Sequence, residues 1–126
     1  MVYRFTIPGR LPGLNEYILA ERSHRLNGAK MKKEYERLII GCIRADLGRI
    51  KIIKPVEIVY WFFEKDRRRD KDNISGYAHK VIQDSLVKAK VLKNDGWNEI
   101  ETYRDYFDID HKRPRVEVIL TEIEND

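Results

Sequence analysis

Cysteine is almost absent from this sequence. The only one among the 126 residues is Cys42, so no intramolecular disulfide can form. Cys42 lies within an apolar stretch, and we interpret it as a small buried hydrophobic residue. The fold must therefore be held together by core packing without covalent crosslinks.

Long apolar runs are also absent. No run approaches the roughly 20 residues that a helix needs to span a bilayer. Residues 1–5 precede no apolar segment of the length found in secretory signal peptides. We therefore expect a cytoplasmic protein with no membrane partner.

Charge, in contrast, is abundant. Charged residues make up 37 % of the chain, against about a quarter in typical domains, and the net charge is +4. A modest positive charge suits a polyanionic partner without proving one. The length favours one domain, and its small core would gain stability from dimerisation.

The hydrophobic periodicity predicts six elements in the order β-α-β-α-β-β. Between the first strand and the first helix, prolines and glycines mark a loop that carries Asn15. The predicted strands are 2–7, 56–63, 99–108 and 115–123, and the predicted helices are 29–47 and 74–88. This order indicates one small α/β (α+β) domain, with a mixed four-stranded sheet and two main helices.

Two carboxylates follow the central strand at a spacing of two residues. If the chain is still extended there, Asp70 and Asp72 point the same way. Two carboxylates in one volume repel each other unless a cation or a proton is present. Mg²⁺ prefers such oxygen ligands, although a solvated loop explains the pair equally well. Asn73 is the expected N-cap of the helix that follows.

The second helix is predicted to have two distinct faces. The core face consists of Ile74, Ala78, Val81, Ile82, Ser85 and Ala89. A second stripe, well away from the core face, consists of Asn73, Tyr77, Lys80 and Asp84. In this stripe Lys80 could neutralise a phosphate oxygen, and Asp84 could hold Lys80 or bind metal through water. By spacing alone, an ordinary surface ion pair is the simpler interpretation.

Basic side chains lie directly beside the carboxylates. Arg67, Arg68 and Arg69 precede Asp70, and Lys71 follows it. Lysine and arginine contacts to phosphates supply the sequence-independent part of DNA affinity. We therefore predict that these residues bind DNA, the alternative being a solvated charged surface.

Taken together, these motifs resemble the RusA-like Holliday-junction resolvases, small nucleases common in phages and prophages. The resemblance rests on residues 67–73, on residues 80–86 and on Asn94 with Asp95. Residues 7–15 also resemble the proline-rich opening loop of the family, with its asparagine at Asn15, which we also predict to bind DNA. The resemblance thus extends over nearly the whole chain, 1–126.

The resemblance implies a four-way DNA junction as substrate, Mg²⁺ or Mn²⁺ as cofactor, a symmetric homodimer and a bacterial, phage or prophage origin. Asp70, Asp72 and Asp95 match the metal-binding catalytic triad, and Lys80 matches a lysine needed for activity. Asp84 matches an acidic residue on the same helix. Two features differ: Asn94 stands where many relatives have a second acidic residue, and the stretch from Asn73 to Lys80 is about one helical turn longer than in some relatives.

Two other functions remain open. One is a broader nuclease for flaps and branched DNA. The other is a catalytically silent junction-binding module, whose sequence mark would be loss of a carboxylate. None of the three carboxylates is missing here.

Overall fold

The computed structural model describes residues 1–124 and contains one mixed four-stranded sheet, as predicted. The elements are β1 Val2–Pro8, α1 Leu14–Ser23, α2 Asn27–Leu47, β2 Val56–Glu64, α3 Lys71–Lys88, β3 Ile100–Ile109 and β4 Arg115–Glu122. The strand order is β1-β4-β2-β3. β2 and β3 are parallel, whereas β4 is antiparallel to both β1 and β2. The predicted single small α+β domain is therefore confirmed.

Strict alternation along β2 defines the core face of the sheet. Every second residue of β2, from Val56 to Glu64, is buried. The matching residues of β1 and β4 are Phe5, Ile7, Val116, Val118 and Leu120, all at most 3 % exposed. The predicted core face of α3 is confirmed, since all six of its residues are buried.

No helix covers the other face of the sheet within residues 1–124. Its centre is aromatic: the ring of Trp61 stacks on Tyr106 at 4.7 Å and lies 5.8 Å from Phe63. β3 forms one edge of the sheet and is the most exposed strand, with Tyr103 49 % and Ile109 39 % exposed.

The sequence did not predict α1, whose residues we expected in a loop or left unassigned. None of the residues of this helix is buried, so its sequence has no strong apolar periodicity from which a helix could be predicted. Its one local signal is Glu16, whose carboxylate accepts a hydrogen bond from the backbone N–H of Gly13 at 3.3 Å. Contact with α3 stabilises the helix, since Tyr17 stacks on Tyr77 at 4.6 Å.

Helix α3 begins three residues earlier than predicted, so the assignment of Asn73 as its N-cap is wrong. Asp70 occupies the N-cap position, and its carbonyl accepts the first helical hydrogen bond from Ile74 at 3.1 Å. Asn73 instead caps a different helix, because its Oδ1 accepts a hydrogen bond from the backbone N–H of Asn15 at 2.8 Å. One side chain thus joins the first turns of α1 and α3.

Within residues 1–124 we find no helix with the length and apolar character needed to cross a membrane.

The junction of α1 and α3 leaves no room for a side chain at position 13. A Cβ on Gly13 would lie 2.7 Å from both terminal atoms of the Asn73 side chain. Gly13→Ala should therefore break the bond to Asn15 and lower the free energy of unfolding by about 1–2 kcal/mol, the cost of a lost cap. Urea unfolding measures this change.

Gly41→Ala is the matched control. Gly41 lies inside α2, and no atom lies within 4 Å of the Cβ it would gain. Alanine is the better helix former, so this variant should gain up to about 1 kcal/mol of stability. Equal effects of the two alanines would contradict the close approach at Gly13.

Candidate active site

A cavity of about 730 Å³ opens where β2 ends and α3 begins. Because β2 and β3 are parallel, the end of β3 reaches the same edge of the sheet. The lining residues are Glu64, Asp66, Arg67, Arg69, Asp70, Lys71, Asp72, Ile74, Phe107, Asp108 and Ile109. Three of these lining residues are apolar and the other eight are charged.

Asp70 and Asp72 line this cavity together, but for a different reason from the one predicted. The chain is not extended through both residues, since it turns into α3 at Lys71. Asp70 is the N-cap, yet its side chain makes no capping hydrogen bond. Asp72 lies in the first turn, where the helix dipole favours negative charge. Both side chains are exposed, and neither forms a salt bridge within residues 1–124.

Arg69 has a structural role, which corrects its predicted role in DNA binding. Its Nε and Nη2 donate to the two carboxylate oxygens of Glu64 at 2.9 and 2.8 Å. Its Nη1 donates to the carbonyl oxygen of Leu11 at 3.0 Å. The side chains of Arg69 and Glu64 are only 11 % and 8 % exposed. The guanidinium is thus committed to joining three segments beneath the cavity.

The other predicted DNA-binding cations remain accessible. Arg67 and Lys71 line the cavity, and neither forms a salt bridge within residues 1–124. The Lys71 ammonium lies 5.5 Å from the centre of the Phe107 ring. Arg68 points away with its side chain 86 % exposed, 3.6 Å from Asp66. Arg67 and Lys71 therefore place positive charge at the cavity mouth.

Asn15 lies exposed at the start of α1, next to the first turn of α3. The sequence separates it from Asn73 by 58 residues, and a hydrogen bond from its backbone N–H to the Asn73 side chain joins the two. Asn15 does not line the cavity, and its role in DNA binding stays a prediction.

Lys80 and Asp84 do not reach this cavity. Lys80 is exposed on α3, two turns past Asp72 and about 12 Å further along the helix axis. Asp84 forms a salt bridge with Lys32 of α2, so the predicted partnership with Lys80 is wrong. The predicted polar stripe fails at Tyr77 too, which is 1 % exposed because α1 covers it. Burial raises the pKa of the Tyr77 hydroxyl.

Asp95 lies at the opposite end of the domain, so one chain does not bring it together with Asp70 and Asp72, the other two predicted metal ligands. It follows the C-terminus of α3, whose 18 residues span about 27 Å. It lines a separate cavity at the start of β3, with Gln83, Trp97 and Tyr103 among its neighbours. Within residues 1–124, no three His, Cys, Asp or Glu side chains form a group able to hold a metal ion.

Two further carboxylates, Asp66 and Asp108, line the first cavity, and neither was predicted from the sequence. Asp108 is placed there by the register of β3 on β2, in which it pairs with Phe63. Asp110 follows closely, but hydrogen bonds from Arg115 and from backbone N–H groups lower its pKa and commit it to the connection before β4. The parallel pairing of β3 with β2 would have indicated Asp108, because it brings the ends of both strands to the same edge of the sheet. The sequence did not show that these two strands pair.

A polar pair fixes α3 against β3. Nε2 of His79 lies 2.7 Å from Oδ1 of Asp105, and the imidazole packs at 4.8 Å and 4.7 Å from the rings of Tyr60 and Tyr103. Gln83 donates to the Tyr60 hydroxyl at 3.1 Å. The helix that carries Asp70 and Asp72 is therefore held against the middle of β3.

The buried ion pair makes a sharp prediction about stability. Arg69→Met leaves the Glu64 carboxylate buried without its partner, so the free energy of unfolding should fall by about 3–5 kcal/mol. Arg68→Met removes the same charge from an exposed position and should cost less than about 1 kcal/mol. The urea midpoints of the two variants test this difference.

The double variant Glu64→Leu/Arg69→Met provides a second check. Removing both charges should recover part of the loss, because no uncompensated charge stays buried. A double variant as unstable as Arg69→Met would show that the cost comes from packing and not from the charge of Glu64.

We compared the chain with protein-family models and with curated proteins, and neither comparison gave a match.

Proposed function

We propose that this protein is a metal-dependent endonuclease that hydrolyses phosphodiester bonds in branched DNA, with the four-way junction as its preferred substrate. The observation that carries the proposal is the pair of uncommitted carboxylates, Asp70 and Asp72, in one cavity with the cations Arg67 and Lys71 at its mouth. This arrangement agrees with the motif resemblance to the RusA-like resolvases.

The residues of the cavity fit a hard divalent cation. All the nearby candidate ligands are carboxylates, and neither His nor Cys lines the cavity. Mg²⁺ typically uses one or two carboxylates and completes its shell with water and substrate phosphate. Asp70 and Asp72 would hold the ion, and Mn²⁺ would fit the same ligands. When bound, the metal would polarise the phosphate and lower the pKa of a water molecule.

The chain's own cations would bind and orient the DNA strand. Arg67 and Lys71 would neutralise phosphate oxygens that the acidic walls otherwise repel. The N-terminus of α3 adds partial positive charge beside them. In the hydrolysis, a water oxygen bonds to phosphorus, a P–O bond to one deoxyribose breaks, and the leaving oxygen takes a proton. Lys80 lies too far along α3 to take part with Asp72 in one chain, so we assign it to binding DNA outside the cavity.

Asp95 can join this site only from a second copy of the chain, because about 27 Å of α3 separate it from Asp70. The exposed edge of β3 is suited to such a contact. If two β3 edges pair antiparallel around a two-fold axis, the start of one β3 meets the end of the other. Asp95 of one protomer then approaches the cavity of its partner. The geometry therefore supports the proposed homodimer as the form that completes both sites.

A symmetric dimer also fits the proposed substrate. A four-way junction has approximate two-fold symmetry, and an isologous dimer presents two equivalent sites to matching strands. Paired nicks at these strands would yield two ligatable duplexes. A flap nuclease needs no such pairing, so the symmetry of cutting separates the two functions.

Cleavage of a labelled four-way junction in Mg²⁺ tests the proposal directly. Wild-type protein should nick two opposing strands symmetrically, and Asp70→Asn should reduce the rate at least about a hundredfold because a charged metal ligand is lost. Glu34→Gln, which removes one exposed carboxylate from α2, is the charge-matched control and should cut normally.

Three results would count against parts of the proposal. Equal cutting of flaps would indicate the broader nuclease. Tight junction binding without cleavage by wild type would indicate the silent binding module. Undiminished cleavage by Asp70→Asn would place the active site elsewhere.

Mixing two inactive variants tests the shared site. Asp70→Asn and Asp95→Asn should each be inactive, whereas a mixed dimer retains one intact site. After exchange of subunits, nicking should recover to about a quarter of wild type, with one strand cut per dimer. Two variants that stay inactive after proven subunit exchange would show that Asp70 and Asp95 do not act across the dimer.

A further inference from the structure

Three exposed lysines lie around a second cavity, at the end of the domain remote from Asp70. Lys51, Lys90 and Lys93 line this cavity of about 340 Å³. None of them forms a salt bridge within residues 1–124. We call these three residues the lysine patch.

Two chain segments form the patch through a backbone hydrogen bond. The N–H of Ile52, next to Lys51, donates to the carbonyl oxygen of Val91, next to Lys90, at 2.8 Å. Ile52 and Val91 are buried, so the lysines stand on a packed base. The patch thus has a fixed backbone.

One carboxylate and a fourth lysine also line this cavity. Glu99 lines the same cavity, but its Oε1 accepts a hydrogen bond from the N–H of Gly96 at 3.2 Å. A fourth lysine of the cavity, Lys54, is bound to Glu124 at 2.7 Å. Lys54 is therefore not counted in the lysine patch.

The backbone at Lys90 gives a second, independent observation. Lys90 has φ +62°, the one non-glycine residue in residues 1–124 with a positive φ. Lys90 follows the C-terminus of α3 in a Schellman motif. The N–H of Lys90 donates a hydrogen bond to the carbonyl oxygen of Val87, and the N–H of Val91 donates one to the carbonyl oxygen of Leu86, both at 3.0 Å. This position strongly favours glycine, so a lysine here is kept at a cost in stability. We take this cost as an observation that favours a role for the Lys90 side chain.

We propose that the lysine patch binds the phosphate backbone of a duplex DNA arm. Free lysines on a fixed base suit a regularly spaced polyanion, and they carry no information about base sequence. The patch lies at the Asp95 end of the domain, since Val56 at the start of β2 donates to Glu99 at 2.9 Å. The inference rests on the proposed function only in its choice of DNA as the partner.

Binding of a labelled four-way junction in buffer without divalent metal tests this surface separately from cleavage. Each phosphate contact adds about 0.9 to the slope of log affinity against log salt. The triple variant Lys51→Gln/Lys90→Gln/Lys93→Gln should therefore have a slope shallower by about two to three. Lys30→Gln/Lys33→Gln/Arg37→Gln removes three exposed charges from α2 and should change it by less than about one.

Equal changes in the two triple variants would overturn the proposal, because the effect would then be one of net charge. Wild-type protein that binds no DNA would overturn both this inference and the proposed function. Wild-type binding that the patch variant retains in full would overturn this inference alone.

Single variants of Lys90 separate binding from folding. Lys90→Gly should raise the melting temperature by about 3–5 °C, because glycine adopts positive φ freely. The same variant should bind the junction more weakly, with a slope shallower by about one. Lys90→Arg should keep wild-type binding. A more stable Lys90→Gly that binds as tightly as wild type would show that Lys90 has no part in DNA binding.

Discussion

The buried ion pair of Glu64 and Arg69 is the interaction on which the candidate site depends. Glu64 ends β2, Arg69 precedes α3, and the same guanidinium holds the carbonyl of Leu11 from the N-terminal connection. Charges this poorly exposed are stable only when their hydrogen bonds are satisfied. The pair therefore fixes the path between strand and helix, and that path sets where Asp70 and Asp72 lie.

A second polar contact also joins the start of α3 to the N-terminal part of the chain. Asn73 accepts the backbone N–H of Asn15, and Gly13 leaves the space that this contact requires. As a result, neither the Asp70 nor the Asn73 side chain forms a capping hydrogen bond to the first turn of α3. The Asp70 carboxylate makes no capping hydrogen bond, so its oxygens are available to bind a cation.

The length of helix α3, about 27 Å, determines how far apart the two ends of the domain lie. The helix separates a cavity with Asp70 and Asp72 from an end with Asp95 and the lysine patch. A function that uses both ends needs either an extended ligand or a second chain. Duplex DNA meets the first requirement, and antiparallel contact of two β3 edges meets the second. The proposed junction substrate and the proposed homodimer therefore both address one geometric constraint.

The sequence by itself determined the four strands, α2 and the core face of α3, because alternation and helical spacing are local patterns. It also singled out Asp70 and Asp72, but the turn into α3 that brings them to one cavity was not predicted. It did not determine α1, whose helix depends on contact with Tyr77. From the sequence we predicted that Arg69 binds DNA and that Asp84 pairs with Lys80. Spacing along the chain could not show that Arg69 pairs with Glu64 and Asp84 with Lys32. Tertiary structure alone decided which charges are free, because burial and pairing depend on residues far apart in the chain. For the same reason only the fold could place Asp95 at the far end from Asp70.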